Sequence, residues 1–215
     1  MKFKGVIFDL DGTLVNSLQD ISDAMNTVLQ DLDFPTHSYE EYQYFIGSGL
    51  RNLVIKSLPS NHNTENQIER CHDLMVEVYR DNCTNQTKPY NGIVELLNEL
   101  KSRNIKLSVF SNKADALTKE ITAALFPGYF NPVVGLSIES LRKPNPLEAL
   151  EICKNLGLTP QEMIFVGDSG IDMQTATNAN MRAVGVLWGY RPEEELVANG
   201  AKYILNHPLD LIPIL

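Results

Sequence analysis

The sequence predicts an α/β protein: a doubly wound, Rossmann-like parallel sheet whose core is interrupted by an inserted α-helical cap domain. Three observations support this fold class. The chain starts with a short, wholly apolar strand at residues 6–8, continues with a helical pattern over residues 15–85, and then alternates helices with strands from Pro89 onward. A wholly apolar strand is typical of the centre of a parallel sheet, because helices cover both of its faces. Regular alternation of helices and strands indicates such a sheet.

The inserted segment, which we assign to residues 15–85, has the apolar spacing of helices. Ser17 is a predicted N-cap, and further helical patterns cover residues 39–45, 50–58 and 68–79. The apolar residues after Ser17 that recur at helical spacing are Leu18, Ile21, Met25, Val28, Leu29 and Leu32. No strand pattern is recognisable within this segment. We therefore expect a small helical bundle.

The remaining residues, 1–14 and 86–215, are predicted to form the α/β core. Helical patterns lead repeatedly into apolar strand patterns. The predicted helices cover residues 92–103, 114–125, 146–156 and 171–179, and the strands that follow them cover residues 105–110, 132–135, 163–166 and 182–187. An insertion after the first strand overhangs the carboxyl ends of the strands, where open α/β sheets bind ligands. We expect the functional site between the core and the cap.

The composition argues against several classes of partner. The 215-residue chain has a formal net charge of −9, which opposes binding to nucleic acid or to an anionic membrane surface. No apolar run approaches the ~18 residues that span a bilayer. The three cysteines form no CxxC pair, which favours a reducing compartment and a cytoplasmic location. We expect neither a nucleic-acid partner nor a membrane partner.

The first strand runs directly into two carboxylates, Asp9 and Asp11. Residues i and i+2 of an extended chain share a face, so both acids can address one ligand. Neighbouring acids repel each other unless a positive group lies near them, and a divalent metal would serve. Gly12 permits a sharp turn after the pair. The alternative is an Asp-Gly hairpin, but this needs a second strand, and helical sequence follows instead.

Polar residues also follow two later strands. Ser111 and Asn112 come after one strand, Asp168 and Asp172 come after another, and Lys143 precedes a predicted helix whose N-terminus would favour an anion. Ser111, Asn112 and Lys143 are the predicted phosphate-binding residues. Each group has a simpler interpretation, as a helix cap, a polar turn or a solvated surface lysine. Those interpretations do not explain why all the groups converge on one edge of the sheet.

Together these groups predict a magnesium-assisted phosphate site. Mg²⁺ prefers oxygen ligands, and we expect it on the side chains of Asp9 and Asp168 and on the main-chain carbonyl of Asp11. For Asp172 three roles are open: it ligates the metal directly, it holds a metal-bound water, or it holds Lys143. A lysine supplies the positive charge that several neighbouring carboxylates otherwise lack.

Four motifs occur in a fixed order along the chain. They are Asp9-Leu10-Asp11-Gly12-Thr13-Leu14, Ser111-Asn112, Lys143-Pro144-Asn145-Pro146 and Gly167-Asp168-Ser169-Gly170-Ile171-Asp172. This ordered set resembles the haloacid dehalogenase superfamily of phosphatases, and the similarity covers essentially the whole chain. The helical insertion looks like the α-helical cap of that superfamily's first cap class. The tail at residues 185–191 is similar to phosphoglycolate phosphatase-like members.

The resemblance implies a mechanism. Asp9 would attack phosphorus and form an aspartyl-phosphate, and Asp11 would protonate the leaving alkoxide and then deprotonate the hydrolytic water. Gly12 and Thr13 belong to the same motif and would support it. A haloacid dehalogenase proper is not expected, since a second acid and metal ligands favour phosphorus over carbon. Asn180 stands where relatives often have glycine, and we expect it to adopt the left-handed conformation that asparagine tolerates.

We therefore expect a Mg²⁺-dependent phosphatase that acts on a small phosphorylated metabolite. Gly47 and Arg51 of the cap are the candidate substrate contacts, with Arg51 clamping a substrate carboxylate or, alternatively, lying on the surface. 2-Phosphoglycolate carries such a carboxylate and is the lead substrate. The alternatives are a β-phosphoglucomutase-type phosphomutase, a pyrophosphatase or nucleotidase of the same superfamily, and, more remotely, a receiver-like signalling module. The choice between monomer and dimer stays open.

Overall fold

The computed structural model describes residues 2–215, and its elements confirm the predicted α/β class. The strands are β1 (Gly5–Phe8), β2 (Val15–Asn16), β3 (Lys88–Pro89), β4 (Lys106–Ala114), β5 (Val133–Leu136), β6 (Met163–Gly167), β7 (Arg182–Val186) and β8 (Tyr203–Leu205). The α-helices are α1 (Leu18–Asp31), α2 (Tyr39–Phe45), α3 (Leu50–Ser57), α4 (Glu65–Asn82), α5 (Ile93–Ser102), α6 (Asp115–Leu125), α7 (Leu147–Leu156), α8 (Gly170–Asn178) and α9 (Glu193–Ala198).

Six of the strands form one parallel sheet in the order β5–β4–β1–β6–β7–β8. β1 lies between β4 and β6, with Phe8 opposite Val109 on one side and Val166 on the other. The polar residues that follow these strands are thereby brought to one edge. Val6 and Phe8 pack into one hydrophobic cluster and Ile7 into another, so both faces of the sheet are buried. The doubly wound core is confirmed.

The helices α1–α4 form the helical insertion that the sequence predicts. α1 packs on α2 and α4, and α3 packs on the same two helices. Tyr42, Met75 and Tyr79 are among the largest fully buried side chains of these helices. They belong to the same hydrophobic cluster as Val6 and Phe8 of the sheet. The cap and the core are therefore packed against each other through a continuous apolar interior.

The structure corrects the expectation that the insertion contains no strand. β2 pairs antiparallel with β3, so a two-stranded ribbon joins the cap to the core. Strands of two residues show no periodicity, which is why the sequence pattern does not reveal them. β4 is longer than the strand predicted at residues 105–110, and it includes both Ser111 and Asn112. β8 and α9 are short elements that the pattern also missed.

The boundaries of the two parts of the chain remain predictions. We keep residues 1–14 and 86–215 as the core and residues 15–85 as the cap, and residue 1 lies outside the described residues. Val15 and Asn16 of the cap pair with Pro89 and Lys88 of the core. The chain passes between the two parts at this ribbon. Within residues 2–215, no helix is both long enough and apolar enough to span a bilayer.

Candidate active site

Asp9 follows β1 at the centre of the sheet, and its carboxylate is paired with a buried lysine. The Asp9 main-chain N–H donates to the Val166 carbonyl at 2.9 Å, which fixes the residue beside β6. Lys143 Nζ donates to Asp9 Oδ1 and to Asp172 Oδ1, both at 2.7 Å. The Lys143 side chain is only 2% exposed, so the interpretation as a solvated surface lysine is excluded.

Asp9, Asp168 and Asp172 form a buried acidic cluster in which one carboxylate oxygen from each residue lies within 4.8 Å of the others. Asp168 is oriented by two donors: the Tyr190 main-chain N–H lies 2.8 Å from Oδ2, and the Thr13 hydroxyl lies 3.3 Å from Oδ1. When ionised, three carboxylates outnumber the single ammonium group of the lysine. A divalent cation would neutralise this excess charge, which is unfavourable away from water.

Two glycines bring the backbone close to Asp168. A Cβ on Gly12 would lie 2.3 Å from Asp168 Oδ2, and a Cβ on Gly189 would lie 2.3 Å from Asp168 Cβ. The Asp168 side chain is therefore confined on two sides by backbone. A confined set of oxygen donors suits a hard cation such as Mg²⁺, with Asp9 and Asp168 as the fitting side-chain ligands.

Asp172 lies in the first turn of α8, and both of its carboxylate oxygens are engaged. Oδ1 accepts from Lys143, while Oδ2 accepts from the Ser169 N–H at 3.1 Å and from the Ser169 hydroxyl at 2.6 Å. Three roles were considered for Asp172, and the observed contact is the one with Lys143. Direct ligation of a metal and the binding of a metal-bound water stay predictions.

Burial changes the protonation of the acidic cluster. Loss of hydration raises the pKa of Asp9 to about 7, with Lys143 opposing this change and Asp172 adding to it. Burial, together with repulsion from Asp172 and Asp9, raises the pKa of Asp168 to about 8. Burial lowers the pKa of Lys143, but the carboxylates of Asp172 and Asp9 raise it by more, so the net shift is upward. Without metal the cluster holds protons near neutral pH, and a cation must displace them.

The Asp11 carboxylate has a second buried lysine as its partner. Lys113 Nζ lies 2.9 Å and 3.1 Å from the two Asp11 oxygens and 2.7 Å from the Tyr79 hydroxyl. Ser17 takes the N-cap position of α1, but its hydroxyl donates to Asp11 Oδ1 at 2.6 Å instead of capping the helix.

Sequence reasoning missed Lys113 and Tyr79. The available signal was that Lys113 stands two residues beyond Ser111 on the same strand, whereas Tyr79 shows only the periodicity of a helix core.

Asn112 links the core to the cap. Its Oδ1 accepts from the Lys143 main-chain N–H at 2.8 Å, and its Nδ2 donates to the Gly47 carbonyl at 3.0 Å. Both ends of the amide are therefore engaged with protein groups, and the phosphate-binding role of Asn112 stays a prediction. Ser111 Oγ accepts from the Lys113 N–H at 3.3 Å and has its hydroxyl proton left to donate, and its binding to phosphate stays a prediction.

A cavity of about 60 Å³ lies between the core and the cap, and Asp9, Asp11 and Gly47 line it. Arg51 does not line this cavity. Its guanidinium pairs with Glu65, and its side chain is 40% exposed. Arg51 thus lies on the surface, as in the alternative interpretation, and its role as a carboxylate clamp stays a prediction. The physical reason is helix periodicity, since the neighbouring leucines of α3 face the cavity and successive helical residues point about 100° apart.

Comparisons with known proteins give the family. The model of the family described as haloacid dehalogenase-like hydrolase matches residues 6–186. A phosphoglycolate phosphatase from Aquifex aeolicus is 33% identical over 215 residues, covering 98% of this chain and 95% of that relative. A phosphoglycolate phosphatase from Chromobacterium violaceum is 31% identical over 216 residues, covering 99% of this chain and 96% of that relative. A crystal structure from Lactobacillus delbrueckii subsp. bulgaricus has a TM-score of 0.91 at 29% identity, covering 98% of this chain and 97% of that one.

The similarities extend over nearly the whole chain, so they include the helical insertion as well as the parallel sheet. They confirm the predicted recognition and the prediction that the protein is an enzyme of the hydrolase class. The chain belongs to the haloacid dehalogenase-like hydrolase family, as a phosphoglycolate phosphatase-like member.

Proposed function

We propose that this protein is a Mg²⁺-dependent phosphatase that hydrolyses a small phosphomonoester through an aspartyl-phosphate on Asp9. One observation carries the proposal: Asp9 and Asp11 line the same cavity, yet each is paired with a different buried lysine. The two carboxylates are thereby given different surroundings. Catalysis that needs one acid as nucleophile and another for proton transfer depends on such a difference.

Asp9 is the proposed nucleophile. Lys143 binds its Oδ1, and among residues 2–215 no hydrogen-bond donor reaches its Oδ2. Attack by this free oxygen on phosphorus forms an O–P bond and breaks the bond between phosphorus and the leaving alkoxide oxygen. The ammonium group of Lys143 offsets the repulsion between the carboxylate and the phosphate. Asp172 keeps that lysine in position.

Asp11 is the proposed group for proton transfer. In the first step its carboxyl group protonates the leaving oxygen. In the second step its carboxylate accepts a proton from the water that attacks the aspartyl-phosphate, which releases phosphate and regenerates Asp9. Lys113 and the Ser17 hydroxyl hold both the position and the orientation of the Asp11 carboxylate.

The residues that would hold Mg²⁺ are Asp9 and Asp168, with the main-chain carbonyl of Asp11 as the further ligand that the sequence predicts. When bound, the cation neutralises phosphate charge that the excess of carboxylates would otherwise repel. The buried cluster of three acids and the close approach of Gly12 to Asp168 support this assignment.

The lead substrate is 2-phosphoglycolate. Two relatives that are 31% and 33% identical are phosphoglycolate phosphatases. The phosphomutase, pyrophosphatase and nucleotidase alternatives act on larger or different substrates. Incubation with a sugar 1-phosphate separates the mutase from the phosphatase, because only a mutase returns an isomeric sugar phosphate.

Asp9→Asn tests the nucleophile. We expect the variant to remain folded by circular dichroism and to lose roughly 10³-fold or more in kcat, because the amide oxygen is a poor nucleophile. Asp73→Asn, a change at an exposed cap residue, is the matched control and should keep wild-type activity. After rapid quenching of wild-type turnover, mass spectrometry should find phosphate on the peptide that contains Asp9. Near-normal hydrolysis by Asp9→Asn would end the proposal.

A further inference from the structure

Lys113 supplies the positive charge of the cavity wall. Of the described residues that line the cavity, the other charged ones are the carboxylates Asp9 and Asp11. The Lys113 side chain is 6% exposed, and most of the remaining wall is apolar, including Ile21 and Leu53. Burying an anionic group of the substrate against apolar side chains is unfavourable, and among the described residues that line the cavity Lys113 is the one that offers it a positive charge.

Tyr79 completes this part of the wall from the cap side. Its hydroxyl oxygen accepts from Lys113 Nζ at 2.7 Å, and Nζ lies 4.6 Å from the centre of its ring. Both contacts hold the ammonium group in place. Within the described part of the chain, no group accepts the proton of the Tyr79 hydroxyl. Lys113 Nζ also donates to both Asp11 oxygens, so a carboxylate in the cavity would replace one of those two contacts and would accept a second hydrogen bond from the phenol.

We propose that Lys113 and Tyr79 bind a carboxylate on the leaving group and thereby select phosphate esters of short 2-hydroxy acids. This inference rests on the proposed phosphatase function, in which Asp11 lies beside the leaving oxygen. Lys113 Nζ is 2.9 Å from Asp11 Oδ1, and a hydrogen bond spans about 3 Å. One substrate can therefore reach Asp11 with its ester oxygen and Lys113 with a carboxylate next to that oxygen. In a phosphorylated 2-hydroxy acid a single carbon separates the two, whereas longer acids would press the carboxylate against the apolar wall.

The test compares 2-phosphoglycolate with 2-hydroxyethyl phosphate, which has an uncharged group in place of the carboxylate. The readout is the ratio of the two kcat/KM values. A contribution of Lys113 to the orientation of Asp11 affects both substrates and cancels in this ratio. For Lys113→Met we expect the preference for 2-phosphoglycolate to fall roughly 10- to 100-fold, because only the charged substrate loses a charge-assisted hydrogen bond.

Tyr79→Phe is the second variant, and it keeps the Lys113–Asp11 pair intact. We expect the preference to fall several-fold, mainly through a higher KM for 2-phosphoglycolate. Lys119→Met, at an exposed lysine of α6, is the control and should leave the ratio unchanged. If Lys113→Met does not fold, Tyr79→Phe alone decides the question.

Two results would overturn the inference while the phosphatase function stands. One is that wild-type enzyme hydrolyses both esters equally well, and the other is that the variants lose activity equally on both. The second result would make Lys113 a positioning residue for Asp11 only. Failure of wild-type protein to hydrolyse any phosphomonoester would instead overturn the proposed function, and this inference with it.

Discussion

At Gly12 the backbone passes close to the carboxylate of Asp168. Gly12 has a φ of +84°, and a Cβ there would lie 2.3 Å from Asp168 Oδ2. An alanine at this position would have to displace the carboxylate of Asp168. Gly128 offers a comparison, since its φ is +77° and a Cβ there would meet nothing within 4 Å. Comparing alanine variants at the two positions therefore separates the effect of backbone strain from the effect of displacing Asp168.

Gly12→Ala is expected to raise the Mg²⁺ concentration for half-maximal activity by about tenfold or more, which is the size of effect seen when groups that orient metal ligands are disturbed. Gly128→Ala should leave that concentration unchanged and reduce the free energy of unfolding by about 1–2 kcal/mol, the approximate penalty for a side chain in the left-handed region. Activity measured against Mg²⁺ concentration, with urea unfolding of both variants, checks the pair. Identical Mg²⁺ curves for the two variants would show that Asp168 does not ligate the metal.

Site residues that follow the strands were predictable from the sequence. Asp9 and Asp168 come after apolar strands, and parallel strands bring such residues to one edge. Lys143 was predicted because a cluster of acids needs a positive group. The contacts of Tyr79 and Arg51 were not predictable, because the faces that cap helices turn toward the core depend on how the cap packs. Helical periodicity shows that a side chain is buried but not which partner it meets.

The turn between α2 and α3 is held against the core by several core side chains. Arg191, in the loop after β7, donates to the Ile46 carbonyl at 2.9 Å and to other carbonyls at the C-terminal end of α2. Arg142 Nη1 donates to the Ser48 carbonyl at 2.9 Å. The end of a helix carries partial negative charge, which a guanidinium group stabilises. These contacts favour the arrangement in which the cap covers the cavity.

Arg191→Met is expected to raise KM several-fold while changing kcat less. Loss of these hydrogen bonds lowers the population of molecules whose cap is already docked, and apparent affinity falls in proportion to that population. Arg80→Met, at an exposed arginine of α4, is the matched control in the same cap. Steady-state kinetics on 2-phosphoglycolate measure both constants. A KM equal to that of the Arg80→Met control would show that Arg191 does not help to dock the cap.

Long elements with a strong pattern were predictable, and short ones were not. The central strands β1 and β6 are wholly apolar and bounded by polar residues, so their existence and position follow from the sequence. The left-handed conformation expected at Asn180 is confirmed by its φ of 57°. In contrast, β2 and β3 depend on pairing between segments far apart in the chain. Two residues carry too little local preference to reveal such pairing.

The buried acids make the stability of the whole molecule depend on pH. Burial is the main cause that raises the pKa of Asp9 from 3.8 to about 7 and the pKa of Asp168 from 3.8 to about 8. At pH values between 3.8 and these raised pKa values, the folded state binds more protons than the unfolded state. The free energy of unfolding therefore falls as pH rises through this range. The contribution is fully present below about pH 4 and lost above about pH 8. We expect the Tm of the metal-free protein to fall between about pH 5.5 and pH 8.

Mg²⁺ is expected to reverse this loss, because the cation binds ionised carboxylates and stabilises the folded state by mass action. The rise in Tm on adding saturating Mg²⁺ should be small at about pH 5.5, where protons compete for the ligands, and largest near pH 8. Asp168→Asn removes one ligand and one raised pKa, so its Tm should vary less with pH and respond little to Mg²⁺. Asp73→Asn, at the exposed cap position, should behave like wild type. Thermal melts with Mg²⁺ or with chelator measure these shifts, and an equal Mg²⁺ response at both pH values would place the cation outside this acidic cluster.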